Sequence, residues 1–421
     1  MQPGPPGPAG ETSTVFASDF DFPKLRPVEA HPIVHGGRPS VLLRDPLRLS
    51  RRTVVVPRDL ALVLVLCDGT FPRAAMSEAL ARHFGLRADI DIIDTLLAAL
   101  NDACLLDNDR SREAELRALD QYRAAPFRSP AMAEAVYPAA PDALRGVLDG
   151  YLRAEPDVRP ATAGRGLFSP HIDYARGGPV YARVWKRAAA LANDVDRFVI
   201  FGTDHFGEPG RITLTRQHYA TPYGVLPTDR AAVDALAAAL GPDRAFGGEL
   251  RHRDEHAIEL VAVWLHHLRG GKPCTVVPIL CGGFGRFVAG DADPRDEPAF
   301  ERLLAALDAV TAGADHAVVV SGDLSHVGPA FGGAPVDDAA WGAVQAADDG
   351  VLGRLCDGDA DGFFATIAEA GDAHNVCGLP PGYLALRFMG PGVRGEAVGY
   401  ERCPADDART SWVSVGGVVW G

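Results

Sequence analysis

The sequence predicts an α/β protein with a mixed, mostly parallel sheet flanked by helices. Three observations favour this class. From residue 166 onward, short apolar runs alternate with longer segments that have helical periodicity, as in βαβ units. The apolar runs are nearly uninterrupted, which is typical of strands that are covered on both faces. Three of the runs end in histidine and aspartate, at the edge where open α/β sheets bind their ligands.

The predicted elements of this region follow one another in chain order. Candidate strands cover 165–169, 197–202, 211–215, 274–280, 316–321 and 411–418. Candidate helices cover 179–192, 229–239, 255–269, 298–312, 337–355, 360–370 and 380–388. An amphipathic segment at 142–152 precedes them, and its apolar positions recur every three or four residues, as in a helix with one buried face.

The N-terminal part of the chain predicts a separate small domain. Residues 1–40 are rich in proline and glycine and lack periodicity, so we expect a flexible leader. Residues 41–108 contain a candidate strand, three candidate helices and a short apolar pair at 105–106, which indicates a winged-helix module. A charged helical connector over 109–126 would then lead to the main domain, 127–421.

Composition and charge argue against several classes of partner. The 421 residues carry a formal net charge of −14, whereas nucleic acids and anionic membranes require a basic surface. The sequence has no apolar run of membrane-spanning length, and its first residues lack the features of a signal peptide. The seven cysteines form no C-x-x-C pair, as is typical of a reducing compartment. We therefore expect a cytoplasmic protein.

Three histidines follow apolar runs, and each has an aspartate within three residues. The pairs are His171 with Asp173, His205 with Asp204, and His326 with Asp323. A single histidine at a strand end is more often structural than a ligand, but three such pairs predict one convergent polar site. Neutral imidazole binds Fe, Zn and Cu, and nearby carboxylates hold the second ring nitrogen or act as acid–base groups.

Two further residues are candidates for the same site. His256 lies at the start of a helix, where it would form a wall of the site, and Asp254 is the expected N-cap of that helix. Cys377 lies beside a glycine in a loop, whereas Cys67 and Cys104 lie in apolar helical runs and should be inert. Cys377 is either a nucleophile or a thiolate ligand, and the convergence of several imidazoles favours the ligand.

Six ordered motifs resemble those of the Memo family. They are Ser-Pro-His at 169–171, Phe-Gly-Thr-Asp-His at 201–205, Asp-Glu-His-Ala-Ile-Glu at 254–259, Val-Pro-Ile-Leu-Cys-Gly at 277–282, Ser-Gly-Asp-Leu-Ser-His-Val-Gly at 321–328 and His-Asn-Val-Cys-Gly at 374–378. The family's domain is similar to the catalytic subunit of class III extradiol dioxygenases, which use non-haem iron. The resemblance covers about residues 127–421.

The resemblance implies a mononuclear metal centre and redox chemistry with dioxygen. Its metal ligands would be His171, His205 and Cys377, which leave open positions for O2 and a small-molecule substrate. Fe(II) is the favoured metal, and Cu and Zn are the alternatives.

The remaining site residues are assigned to proton transfer and substrate binding. His326 or His256 would be the general base, and Asp323 would orient it. The residues expected to bind substrate are Arg176, Asp173 and Asp204. Arg176 replaces an aromatic residue that is common in the family, and its fork suits a carboxylate or phosphate.

Two alternatives to an oxidative enzyme remain open at this stage. The turn Asp68-Gly69-Thr70 and the two helices that follow it resemble PqqD-like domains, which dock on peptides or partner enzymes. The chain would then be a non-catalytic metal-binding or scaffolding partner of a peptide or radical-enzyme system, although a small domain that only packs on the main one is equally compatible. The second alternative is a zinc-dependent hydrolase that uses the same ligands.

Overall fold

The fold is described from a computed structural model that covers residues 21–157, 161 and 164–421. The chain divides into two units, the first of which ends at Gln121 and the second of which is Tyr122–Gly421. Among the described helices, none combines the length and the apolar character that a membrane crossing requires.

The first unit consists of a three-stranded antiparallel sheet followed by helices. Its strands pair in the order β1 (Glu29–His35), β2 (Arg38–Arg44) and β3 (Val54–Pro57). Its helices are α1 (Ala61–Val65), α2 (Met76–Phe84), α3 (Ile90–Asp102) and the start of α4 (Asp109–Ala124). Buried side chains such as Leu43, Val56, Leu80 and Leu97 join the sheet and helices in one core.

The leader predicted for residues 1–40 differs from the structure in its second half. Residues 1–20 lie outside the described residues, but β1 and the start of β2 fall within 21–40. Gly36 and Gly37, with φ of 56° and 76°, form the two-residue turn that pairs these strands. The apolar pair at 105–106 forms a single bridge, between Leu106 and Leu25. The winged-helix assignment stays a prediction.

The second unit is built on an eight-stranded sheet with one separate hairpin. Its strands are β4 (Gly166–Ser169), β5 (Arg197–Asp204), β6 (Ile212–Leu214), β7 (Tyr219–Thr221), β8 (Gly224–Leu226), β9 (Thr275–Gly282), β10 (Ala317–Ser321), β11 (His326–Val327), β12 (Gly395–Pro404) and β13 (Trp412–Trp420). The order is β11-β13-β4-β10-β5-β9-β6, β12 pairs with β13, and β7 pairs with β8 alone. The four central strands β4, β10, β5 and β9 are parallel, which confirms the predicted mixed, mostly parallel sheet.

Helices cover both faces of this sheet. They are α5 (Pro141–Ala154), α6 (Tyr174–Arg187), α7 (Ala189–Asp194), α8 (Arg230–Leu240), α9 (Pro242–Phe246), α10 (His256–Leu268), α11 (Gly285–Val288), α12 (Pro298–Thr311), α13 (Asp338–Asp357), α14 (Ala360–Ala368) and α15 (Leu379–Met389). Alternate residues of β5 enter two different cores: Phe201 packs in the core that contains α8, α12 and α15, and Ile200 in the core that contains α6 and α10.

The strand order brings the predicted site segments to one edge. Strands β4, β10 and β5 are adjacent and parallel, so the segments that follow them leave the sheet side by side. Helix α6 begins five residues earlier than predicted because Asp173 caps it, accepting a hydrogen bond from the backbone N–H of Arg176. The carboxyl edge of the sheet therefore carries the histidine and aspartate segments together.

Candidate metal centre

His171 is anchored in the loop that follows β4. Its backbone N–H and that of Ile172 donate to Asp323 Oδ1, at 2.8 and 3.3 Å. The ring is buried, with Nδ1 3.4 Å from Ser321 Oγ and Nε2 3.2 Å from Cys377 Sγ. The carboxylate after β10 therefore fixes the turn that presents His171 to the thiol.

The loop that carries Cys377 is tied to the neighbouring strand ends. The backbone N–H of Asp323 donates to Cys377 Sγ at 3.3 Å, and Thr203 Oγ1 donates to the Cys377 carbonyl at 2.8 Å. The N–H of His326 donates to the carbonyl of His374, at 2.6 Å. The Thr203 side chain of β5 and the segment that follows β10 thus hold the sulfur in place.

Glu255 holds two imidazoles with one carboxylate. Its Oε2 lies 3.0 Å from His205 Nδ1, and its Oε1 lies 3.1 Å from His256 Nδ1. The same carboxylate caps α10 by accepting from the N–H of Ala257 at 3.0 Å. Because a carboxylate only accepts, both Nδ1 atoms carry hydrogen, and both Nε2 atoms are left for other partners.

Three imidazoles and one thiol form a single cluster. The ring centroid of His171 lies 5.0 Å from that of His205 and 5.1 Å from that of His256. The centroids of His205 and His256 are 4.8 Å apart. Ligand atoms of these three histidines lie within 4.8 Å of one another, and so do those of His171, Asp323 and Cys377. Nitrogen and sulfur donors at this spacing fit a transition metal.

The electrostatics of the cluster favour one positive charge. Burial lowers the pKa of His171 well below its usual value, so this ring is neutral. Burial would also lower the pKa of His205, but the Glu255 carboxylate and the Cys377 sulfur raise it well above the usual value. Burial would raise the pKa of Glu255, yet His205 and His256 hold it well below the usual range. A bound cation would supply a positive charge near the Glu255 carboxylate and the Cys377 sulfur.

His326 lies at the same edge, but Asp323 does not orient it as predicted. Its Nδ1 lies 3.1 Å from the carbonyl of Leu324, so Nδ1 is the donor and Nε2 the free acceptor. The Asp323 carboxylate instead binds the backbone of the His171 turn, because that turn offers two unpaired N–H groups. Burial lowers the pKa of His326 to about 4.

Of the three residues expected to bind substrate, two pair with each other and the third lies beside Arg251. Asp173 and Arg176 pair at 2.5 Å at the start of α6, and a guanidinium N–H of Arg176 also donates to the carbonyl of Pro404. Asp204 is not part of the histidine cluster. Its buried carboxylate lies 3.9 Å from Arg251 Nε, and among the described residues neither oxygen has a hydrogen-bond partner.

Glu255, which links two of the imidazoles, is a site residue that the sequence patterns did not predict. Asp254 was the expected N-cap, but Glu255 occupies that position, and the first helical residue is His256. An acidic side chain directly before a histidine at a helix start was the available signal, since capping and imidazole binding need the same carboxylate.

Comparison with known proteins identifies the family of the chain. The family model described as Memo-like protein matches residues 128–419. A MEMO1 family protein of Thermus thermophilus is 28% identical over 305 residues, which cover 71% of this chain and 85% of the relative. A MEMO1 family protein of Archaeoglobus fulgidus is 26% identical over 296 residues, covering 70% and 99% respectively. The chain belongs to the Memo-like family.

Proposed function

We propose that the second unit is a mononuclear non-haem metal enzyme, with iron as its metal, that oxidises a small molecule with dioxygen. The observation that carries the proposal is the meeting of imidazoles and a thiol: His171 Nε2 lies 3.2 Å from Cys377 Sγ, and the ring centroid of His205 lies 5.0 Å from that of His171. These three side chains would hold the ion. The set of two nitrogens and one sulfur suits iron, copper or zinc.

The protein's own residues would prepare the substrate. Bound iron would supply electron transfer to dioxygen and a Lewis-acidic position for the substrate. His326 would accept the substrate proton at Nε2, because its Nδ1 is committed to the Leu324 carbonyl. Phe331 packs edge-on against His326, with ring centroids 5.1 Å apart, and would limit water at this base.

Arg176 supports an anionic substrate. Burial and, more weakly, the charge of Arg176 lower the pKa of His326. Its pairing with Asp173 and the Pro404 carbonyl fixes the fork at the start of α6. A carboxylate or phosphate on the substrate would compete with Asp173 for that fork.

The test is metal analysis of protein purified without oxygen, followed by oxygen consumption with small carboxylate or phosphate compounds. We expect about one iron per chain and uptake of O2 that depends on substrate. Tight zinc without O2 uptake would favour a zinc-dependent hydrolase, and metal without any turnover would favour a scaffold. The variant His171→Ala should lose the metal while circular dichroism shows an intact fold, and His205→Ala gives a second, less buried test.

A further inference from the structure

We propose that His256 is a fourth metal-binding side chain, so that the centre offers two alternative three-ligand sets. Both sets share His171 and His205; Cys377 completes one, and His256 completes the other. The inference rests on the proposed metal centre, but it assigns His256 to the metal and leaves His326 as the base.

The ligand atoms of His171, His205 and His256 lie within 4.8 Å of one another, as close as those of His171, Asp323 and Cys377, the group that contains the thiol. The ring of His171 is nearly equidistant from the other two, at 5.0 and 5.1 Å between centroids. One ion near His171 Nε2 would therefore be within reach of either third ligand.

The rings of His205 and His256 are oriented alike. The rings of His205 and His256 stack with centroids 4.8 Å apart and planes only 17° from parallel. One carboxylate, that of Glu255, accepts from Nδ1 of both. The shared partner leaves both Nε2 atoms on the side away from the carboxylate, as in the carboxylate–histidine pairs of metal sites.

The shared carboxylate is itself buried and fixed. Only 6% of the Glu255 side chain is exposed, and its charge is committed to two rings and one helix cap. A histidine held through Nδ1 by such a carboxylate has a fixed ring orientation, as metal-ligating histidines do. The Nδ1 of His326 lies beside the carbonyl of Leu324 instead.

The two sets would differ in chemical preference. A thiolate with two imidazoles favours soft or borderline ions, and three imidazoles with an open position favour zinc, cobalt and iron in the divalent state. The consequence is specific: loss of the thiol should weaken binding of a divalent ion without abolishing it, because His256 takes over.

The experiment uses Co(II) titration of the full chain, monitored by absorption. The variants are Cys377→Ala, His256→Ala, the double variant and His171→Ala. We expect wild type to show sulfur-to-cobalt charge transfer together with visible ligand-field bands. Cys377→Ala should lose the charge-transfer band and keep the ligand-field bands. Because His256 replaces the thiol, we expect binding to weaken only by about 10- to 100-fold, as when an outer partner of a metal ligand is removed. The double variant should show no saturable binding.

Each contrary outcome is distinct. If Cys377→Ala loses Co(II) binding as completely as His171→Ala does, the assignment of His256 is wrong while the metal centre stands. The same holds if the double variant binds Co(II) as tightly as Cys377→Ala. If wild type binds no Co(II), Zn(II) or Fe(II), the proposed function fails as well. Thermal unfolding of each variant shows whether it is folded, and Cys377→Ser replaces Cys377→Ala if the alanine variant is not.

Discussion

Gly322 and Gly378 touch through their backbones, and this contact sets the position of Cys377. A Cβ atom on Gly322 would lie 2.4 Å from the Cα of Gly378, which is too close for any side chain. The N–H of Gly378 donates to the carbonyl of Asp323 at 3.0 Å across the same contact. This contact between two glycines therefore brings the thiol to the imidazoles.

The variant Gly322→Ala should push the Cys377 loop away from His171. Neither glycine has a positive φ, so the effect comes from crowding and not from backbone conformation. We expect the protein to lose about 1–3 kcal/mol of unfolding free energy, as in an overpacked core, and Co(II) affinity to fall about 10-fold or more. Urea denaturation and Co(II) titration measure these effects. Gly283→Ala is the control, because nothing lies within 4 Å of its Cβ position.

Replacement of Glu255 by glutamine should weaken metal binding while leaving the ligands in place. An amide has one acceptor oxygen, so it can hold only one of His205 and His256. We expect metal affinity to fall about 10- to 100-fold in a competition titration. The control is Glu297→Gln. Glu297 caps α12 in the same way that Glu255 caps α10, because its side chain accepts from the N–H of Ala299. Equal metal affinity in the two variants would contradict the role of Glu255.

Most of the fold could be predicted from local sequence patterns, but only part of the site could. The parallel strands were predictable because each is a buried apolar run bounded by turns, as in Thr275–Gly282. The edge strand β12 was not, because its half-exposed residues give no apolar run. His171, His205 and Cys377 came from motifs, whereas the contact of Gly322 with Gly378 depends on two loops 56 residues apart in sequence. Sequence patterns report burial along one element, and such loop contacts exist only in the folded chain.

The buried ion pair of Arg128 and Glu259 should be important for stability. Both side chains are fully buried, and the Glu259 carboxylate also accepts from the N–H groups of Ala131 and Met132. Glu259→Gln should lower the unfolding free energy by about 3–5 kcal/mol, because it leaves a buried guanidinium without a counter-charge.

Chemical denaturation measures the loss in Glu259→Gln. The matched control is Glu113→Gln, which breaks the exposed pair with Arg117 and should change stability by less than about 1 kcal/mol. Similar losses in the two variants would show that burial of the Arg128 pair does not matter.

His252 should make the protein less stable in mild acid. Burial lowers its pKa to about 3, and its Nδ1 and Nε2 bind Tyr219 OH at 2.6 Å and the Thr213 carbonyl at 3.0 Å. The unfolded chain takes up a proton at this residue near pH 6.5, but the folded chain does so only near pH 3. The contribution of neutral His252 to the unfolding free energy is therefore fully present above pH 6.5. It falls towards pH 3, by at most about 1.4 kcal/mol per pH unit.

The measurement for His252 is the unfolding free energy as a function of pH. His252→Gln should show a smaller decrease between pH 6.5 and 4 than wild type shows. His35→Gln, at an exposed position, should follow the wild-type curve. A slope unchanged in His252→Gln would mean that other groups account for the acid sensitivity.

The most direct test of the central claim is X-ray absorption at the metal edge of protein purified without oxygen. We expect about one iron per chain, with two or three imidazole nitrogens and one sulfur as nearest neighbours, and loss of that sulfur in Cys377→Ala. Protein without stoichiometric metal, or metal with no imidazole neighbours, would contradict a centre formed by His171, His205 and Cys377.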